Sequence, residues 1–248
     1  MDEVLIITGA SRGIGAATAR IAGRSGYVVC VNYLKNKAAA KQIVEEINAD
    51  GGRALAVGAD ISREEEVVKL FCTVDDKLGK ISALVNNAGI LETQMRIEDM
   101  NAARLKRVFL TNVIGSFLCA REAVKRMSTK NGGKGGAIVN VSSAAARLGS
   151  AGEYVDYAAS KGAVDTFTRG LAQEVAEEGI RVNAVRPGVI DTDIHASGGE
   201  PGRVERVKAS IPMKRGGSAE EVAKAIMWLL SSESSYTTGS LLEVSGGR

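Results

Sequence analysis

Short apolar runs alternate along this chain with longer segments in which apolar residues recur at helical spacing. The first run, residues 4–8 (VLIIT), is rich in β-branched residues, and similar runs span 28–31, 54–57, 83–86, 137–141, 181–185 and 241–244. Each is nearly continuous in apolar residues, which is the pattern of strands buried on both faces of a parallel sheet. The intervening segments are amphipathic. Residues 37–50 place Ala40, Ile43, Val44 and Ile47 on one helical face, and Gly51 with Gly52 stops the helix. Ser62 reads as an N-cap, with Glu64, Glu65 and Glu66 in the first turn and Val67, Leu70, Phe71 and Val74 behind them. Residues 158–178 predict a long helix ending at Gly179, and residues 130–136 (KNGGKGG) read as a flexible, solvated loop. Seven strands alternating with helices predict an α/β fold, a doubly wound seven-stranded parallel sheet with helices on both faces. No linker, repeat or low-complexity tract interrupts the pattern, so residues 1–248 are expected to form a single domain.

Composition narrows the function classes. A chain of 248 residues can bury a large core without disulfides or metals. The 29 glycines point to many tight turns and close backbone approaches. A net charge of +3, evenly mixed, is no footprint for nucleic acid. Cys30, Cys72 and Cys119 are far apart and each lies in an apolar run, so they are expected to be small buried residues in a reducing, cytoplasmic setting. There is no Cys-x-x-Cys, and His195 is the one histidine, so no metal site is expected. His195 itself, in a polar loop, reads as an exposed surface residue. The first residues lack the basic stretch and longer apolar core of a signal peptide. No apolar stretch approaches the length of about 18 residues that a membrane span needs.

Candidate chemistry begins after the first strand, at residues 8–15 (TGASRGIG). Gly9, Gly13 and Gly15 follow a strand and open an amphipathic segment, residues 14–22. Glycines let the backbone turn sharply and approach a pyrophosphate, and the helix N-terminus offers free N–H groups and partial positive charge. This is the context of a Rossmann-like dinucleotide site. Units that prefer NAD place an acid about 20 residues on, to hold the ribose 2′-hydroxyl. Here the second strand ends in Val31, Asn32, Tyr33, Leu34 and Lys35, with no acid. Arg12 and Lys35 could instead pair with a 2′-phosphate. The residues therefore favour NADP(H), with NAD(H) as the second option.

Further motifs fall in order: Asn86-Asn87-Ala88-Gly89, then Asn112, Ser142-Ser143, Tyr157 with Lys161, and Pro187-Gly188. Together with the glycine loop they make the whole chain resemble the short-chain dehydrogenase/reductase family, in particular its 3-oxoacyl-reductase-like and glucose-1-dehydrogenase-like members. The resemblance implies a Rossmann-like fold, a tetrameric assembly and NAD(H) or NADP(H) as cosubstrate. It makes Tyr157 the catalytic acid/base and Lys161 its partner. It gives Ser143 the substrate oxygen, with Ser142 as the less well matched alternative. It has Asn112 help hold a proton-relay water beside Lys161. Gly9, Ser11, Arg12, Gly13, Ile14 and Gly15 would cradle the cofactor's phosphates. Asn32, Tyr33, Asp60 and Ile61 would also bind the cofactor, with Asp60 at the adenine. Asn87, Ala88 and Gly89 would line the cleft, and Pro187, Gly188, Ile190 and Thr192 would grip the nicotinamide side, where Tyr157 and Lys161 also touch it. The segment between Ser143 and Tyr157 is about one residue longer than in many relatives, which bears on the shape of the substrate loop.

These residue types suit hydride transfer to a carbonyl. An unperturbed phenol, with a pKa of about 10, is a poor proton donor and acceptor near neutrality, and a nearby ammonium is expected to lower that value. Tyr157 and Lys161, spaced i, i+4, share a helix face. Ser143 can donate to the developing oxyanion. Residues 192–214, with Gly198, Gly199 and Gly202, are expected to form a mobile lid over a small carbonyl or alcohol substrate. The acidic helix end at Glu174, Glu177 and Glu178 weakens a reading as a partner of an acidic carrier protein. An NAD-preferring sugar dehydrogenase and a non-catalytic NADP-binding sensor are the alternatives. Nucleic-acid and membrane partners are not expected.

Overall fold

All seven expected strands form in the computed structural model, which describes residues 3–248 apart from the side chain of His195. The expectation of an exposed histidine therefore lies outside the described residues. The strands are β1 (Val4–Ile7), β2 (Val28–Tyr33), β3 (Arg53–Gly58), β4 (Ile81–Asn86), β5 (Gly136–Val141), β6 (Ile180–Pro187) and β7 (Leu241–Val244). They pair in parallel throughout, in the order β3-β2-β1-β4-β5-β6-β7. The order reverses between β1 and β4, and the crevice outside the carboxyl ends of strands at such a switch point is where an open α/β sheet binds ligands.

Helices connect the strands: α1 (Gly13–Arg24), α2 (Lys37–Ala49), α3 (Glu64–Lys77), α4 (Ala102–Phe109), α5 (Gly115–Met127), α6 (Ala145–Leu148), α7 (Val155–Val175), α8 (Ile194–Ser197), α9 (Arg203–Val207) and α10 (Ala219–Leu230). Alternation along the strands sorts side chains to two cores. Leu5, Ile7, Val29, Val31 and Val185 face α1, α2 and α10, where Ala19, Ile47, Ile226 and Leu229 cover them. Val4, Ile6, Cys30, Leu84 and Val182 face α3, α5 and α7, under Leu70, Phe71, Cys119, Ala120 and Ala172. Both faces of the inner strands are thus dry, which explains their continuous apolar runs. The edge strands β3 and β7 depart from the expectation of burial on both faces. Most of their residues are half-buried because each has a neighbour on one side alone.

Several local expectations are corrected. Ser62 does not cap α3; Arg63 occupies that position without a capping side chain, and the Ser62 hydroxyl donates to Asp60 Oδ1 at 2.7 Å. The long helix starts at Val155, three residues before the expected start, and ends in a 3₁₀ turn before Gly179 in left-handed conformation. The segment 130–136 is not a wholly solvated loop. A Cβ on Gly135 would stand 2.4 Å from the Gly179 carbonyl oxygen, and one on Gly136 2.1 Å from that of Ser82, so backbone packs on backbone there. Cys30 and Cys119 are buried as expected, but Cys72 is exposed on α3, with Arg126 Nη2 3.8 Å from its sulfur. No helix among the described residues is long and apolar enough to cross a membrane.

Candidate active site

A cleft of about 860 Å³ opens along the carboxyl ends of β1, β4, β5 and β6. At one end lies the glycine loop. Gly9 and Gly13 have φ of +61° and +55°, a region that side chains rarely adopt. Gly15 is required by contact: a Cβ there would meet Asn87 Nδ2 at 2.5 Å and the Gly9 carbonyl oxygen at 2.8 Å. The loop is held by its neighbours. Asn32 Oδ1 accepts from Gly9 N at 3.2 Å, Asn87 Nδ2 donates to the carbonyls of Thr8 and Gly9, and Thr8 Oγ1 accepts from the amides of Asn87 and Ala88. Helix α1 begins beside the cleft with no capping side chain and no acid in its first turn. Its positive end is therefore left for a ligand, and an open cradle of this kind fits a dinucleotide pyrophosphate.

Most of the expected cofactor residues line this cleft: Gly9, Ser11, Arg12, Gly13, Ile14, Asn32, Asp60 and Ile61 on one side, and Asn87, Ala88, Gly89, Pro187, Gly188, Ile190 and Thr192 toward the other. Two do not. Gly15 lies behind the loop, where its role is the close approach just described. Tyr33 is turned against Gly58 and is not part of the lining, because side chains alternate along β2 and Asn32 takes the cleft position. Leu34, Lys35 and Asn36 continue the lining past the end of β2, with no carboxylate among them. Arg12 donates from Nη2 to Ser197 Oγ at 3.1 Å, so in this structure it reaches α8.

At the other end Ser143, Tyr157 and Lys161 converge. Ser143 and Tyr157 both line this end of the cleft, and the Ser143 hydroxyl accepts from Ala145 N at 3.1 Å. Ser142 is instead buried, with its hydroxyl donating to the Lys161 carbonyl at 3.2 Å, so the second serine of the pair is the one beside Tyr157. Lys161 Nζ lies 5.6 Å from the centre of the Tyr157 ring and donates to the Val141 carbonyl at 2.7 Å. Asn112 sits in a π-helical turn, Leu110–Ile114, between α4 and α5. Its side chain is fully engaged, accepting from Ile90 N at 2.8 Å and donating to Ile90 O and Ser160 Oγ. A Cβ on Gly89 would stand 3.4 Å from Asn112 Oδ1 and 3.5 Å from Lys161 Nζ, so the two flank the same glycine.

Electrostatics here run against the simple expectation. Burial pushes the Tyr157 phenol up to about 12, opposed by the Ser143 hydroxyl. Burial pulls the Lys161 ammonium down to about 8, opposed by Asp165 one turn along the helix. Desolvation penalises both charged forms and outweighs the lysine's expected pull on the phenol.

The sequence places a substrate loop between Ser143 and Tyr157 and a lid at 192–214, but names no individual residues of the walls there. Leu91, Ala144, Leu148, Ala151, Tyr154 and Ile194 line the substrate end with Glu153 and Arg203. Leu91 lies outside both segments, and which residues of the two segments turn into the cleft is set by loops that meet from far apart in sequence.

Fold and cleft together define a class, the oxidoreductases that bind a nicotinamide dinucleotide on a doubly wound sheet. A family model described as enoyl-(acyl carrier protein) reductase matches residues 9–248. An uncharacterized oxidoreductase, YgfF, of Escherichia coli K12 is 60% identical over 245 residues, covering 99% of both chains. A 3-oxoacyl-[acyl-carrier-protein] reductase of Synechocystis is 41% identical, covering 99% of this chain and 96% of its own. Glucose 1-dehydrogenase 2 of Bacillus subtilis is 38% identical, covering 99% and 94%. The chain belongs to the short-chain dehydrogenase/reductase family, NAD(P)-dependent oxidoreductases acting on CH–OH groups.

Proposed function

We propose that this chain interconverts a small carbonyl compound and its alcohol, with NADP(H) as the preferred cosubstrate and NAD(H) as the weaker one. The observation that carries this reading is the meeting of Ser143, Tyr157 and Lys161 at one end of the cleft whose other end is the glycine loop. When bound, the reduced nicotinamide supplies the hydride that the carbonyl carbon accepts. Tyr157 delivers a proton from its hydroxyl to the carbonyl oxygen, and Ser143 donates a hydrogen bond to the same oxygen as charge develops on it. Lys161 holds positive charge beside the phenol and returns its proton, with Asn112 supporting the path on the far side of Gly89. In the oxidative direction the same groups run in reverse.

Preference for NADP(H) rests on Lys35 just past the end of β2, on Arg12 in the glycine loop, and on the lack of an acid among Asn32, Leu34, Lys35 and Asn36. Residues 1–248 act as one domain in this reading, and residues 192–214 form its substrate lid. A homotetramer is the assembly it implies. Phe109, Leu110, Ile114 and Phe117 leave a large apolar face on α4 and α5, and such faces mark protein contacts. The buried, reduced thiols Cys30 and Cys119 suit a cytoplasmic protein.

The test is NADPH and NADH consumption with a panel of aldehydes, ketones and 3-oxoacyl thioesters, and the reverse reaction with glucose. Wild-type protein should oxidise NADPH with at least one carbonyl, and Tyr157→Phe should lower kcat by about a hundred- to ten-thousand-fold, the usual worth of a positioned acid. NADPH binding without turnover of any compound would favour a sensor.

A further inference from the structure

Part of the cleft wall is built from charged and polar side chains of three separate segments. Glu153 stands just before α7, Gln94 on the loop after β4, and Glu200, Arg203 and Arg206 in and before α9. Arg203 is the centre. It is 9% exposed, donates from Nη2 to Glu153 Oε2 at 2.5 Å and from Nη1 to Glu200 Oε2 at 2.9 Å, and lies 5.1 Å over the Tyr154 ring. Arg206 repeats the bridge on the outside, to Glu153 Oε1 at 2.8 Å and to both oxygens of Glu200. Gln94 Nε2 donates to Glu200 Oε2 at 2.5 Å. Two further hydrogen bonds join the same three segments: the Met95 amide donates to the Glu153 carbonyl at 3.0 Å, and the Tyr154 hydroxyl donates to the Gly198 carbonyl at 3.4 Å. Burial would push Glu153 up, yet Arg203 and Arg206 hold it below the usual carboxylate range.

From this geometry we propose that the Arg203 clasp is a specificity filter, restricting the enzyme to short, uncharged carbonyl compounds. The inference rests on the carbonyl-reduction reading above. Arg203 and Glu153 face the cleft, while Glu200 and Arg206 stand behind them. Two arginines face two glutamates, so the wall is neutral and the Arg203 fork is already spent on carboxylates of the protein. A substrate carboxylate or phosphate would have to displace one of them. The lining on the near side is apolar, with Leu91, Ala144, Leu148, Ala151, Tyr154 and Ile194. A long acyl chain running along this lining would meet the Arg203–Glu153 pair.

The experiment compares kcat/KM for propanal, hexanal and decanal, and for butanal against succinic semialdehyde, with NADPH. Wild type, Arg203→Ala, Arg203→Lys and Arg206→Ala are each first checked for NADPH binding by fluorescence. Wild type should favour propanal over decanal and butanal over succinic semialdehyde. Arg203→Ala should raise the decanal-to-propanal ratio about tenfold, on the scale that pocket contacts discriminate. Arg203→Lys, which keeps the charge but loses the fork, should lie between. Arg206→Ala, which removes the half-exposed outer bridge alone, should shift the ratio in the same direction by less, and it serves if Arg203→Ala fails to fold. A flat length profile in wild type overturns the filter, as does an unchanged ratio in variants that bind NADPH. Wild type that binds NADPH and reduces no aldehyde or ketone overturns the carbonyl reading itself, and the filter with it.

Discussion

Arg104 and Asp156 show how much of this site depends on single side chains away from the reacting atoms. Both are nearly inaccessible, at 3% and 1% side-chain exposure, and they meet through Nε to Oδ2 at 2.7 Å and Nη2 to Oδ1 at 3.3 Å. Arg104 also donates to the Thr93 carbonyl at 2.7 Å, and Asp156 Oδ1 accepts from Tyr157 N at 2.9 Å. The pair therefore ties α4, the loop after β4 and the first turn of α7 at the residue next to Tyr157. Removing one partner strands a buried charge, which costs far more than the pair itself contributes. Arg104→Met should lower stability by about 3–5 kcal/mol, read from urea unfolding, whereas Arg104→Met with Asp156→Leu should recover much of that loss. Equal destabilisation by the single and double variants would show that the guanidinium acts through its bond to Thr93 instead.

At the scale of elements, the turn from β1 into α1 is the least replaceable piece. Gly15 belongs to α1 and its missing side chain is what lets Asn87 press on the glycine loop. Gly15→Ala would set a methyl against the Gly9 backbone, which cannot yield as a flexible side chain can. The expected cost is about 1–3 kcal/mol of stability by overpacking, with a clear loss of NADPH affinity in a direct binding titration. Unchanged affinity would mean that the loop can shift without harming the cradle. This turn was legible in the sequence because its chemistry is local, with strand, glycines and helix in one stretch. The inner strands were legible because burial on both faces writes an unbroken apolar run. Helix α10 was not singled out, although Ser218 and Glu221 form a reciprocal capping box there. Tyr33, expected at the cofactor, packs on Gly58 instead, because side chains alternate along β2 and Asn32 takes the cleft side, a choice composition alone does not make. Of the Arg203 clasp only the location is legible, since Glu200, Arg203 and Arg206 fall in the expected lid and Glu153 in the expected substrate loop; their pairing with one another and with the uncharged Gln94 joins positions far apart in sequence and exists only once the sheet has formed.

For the whole molecule, the groups that the fold buries in their neutral forms set its response to alkali. Cys30 and Cys119 are pushed from an ordinary 9.0 up to about 12 by burial, Cys119 with added repulsion from Glu122. Tyr157 is pushed from 10.0 to about 12 by burial, and Tyr27 by burial and Glu3. Above pH 9 the unfolded chain sheds the two thiol protons, and above pH 10 the two phenol protons as well, while the folded chain keeps all four, so the folded state loses ground as pH rises. Lys161 has the opposite sign. Its ammonium is pulled from 10.5 to about 8, so between those values the unfolded chain holds the extra proton and rising pH favours folding. Each group can tilt stability by about 1.4 kcal/mol per pH unit within its window. Stability should therefore climb gently from pH 8 to about 9, fall from there as two thiols outweigh one lysine, and fall more steeply above pH 10 as the two phenols join them. Urea midpoints across that range, in reducing buffer, should trace this maximum, and Lys161→Met should remove the rising limb while leaving the fall. A decline that begins near neutrality, or a rising limb that persists without Lys161, would place the controlling proton elsewhere than in this buried set.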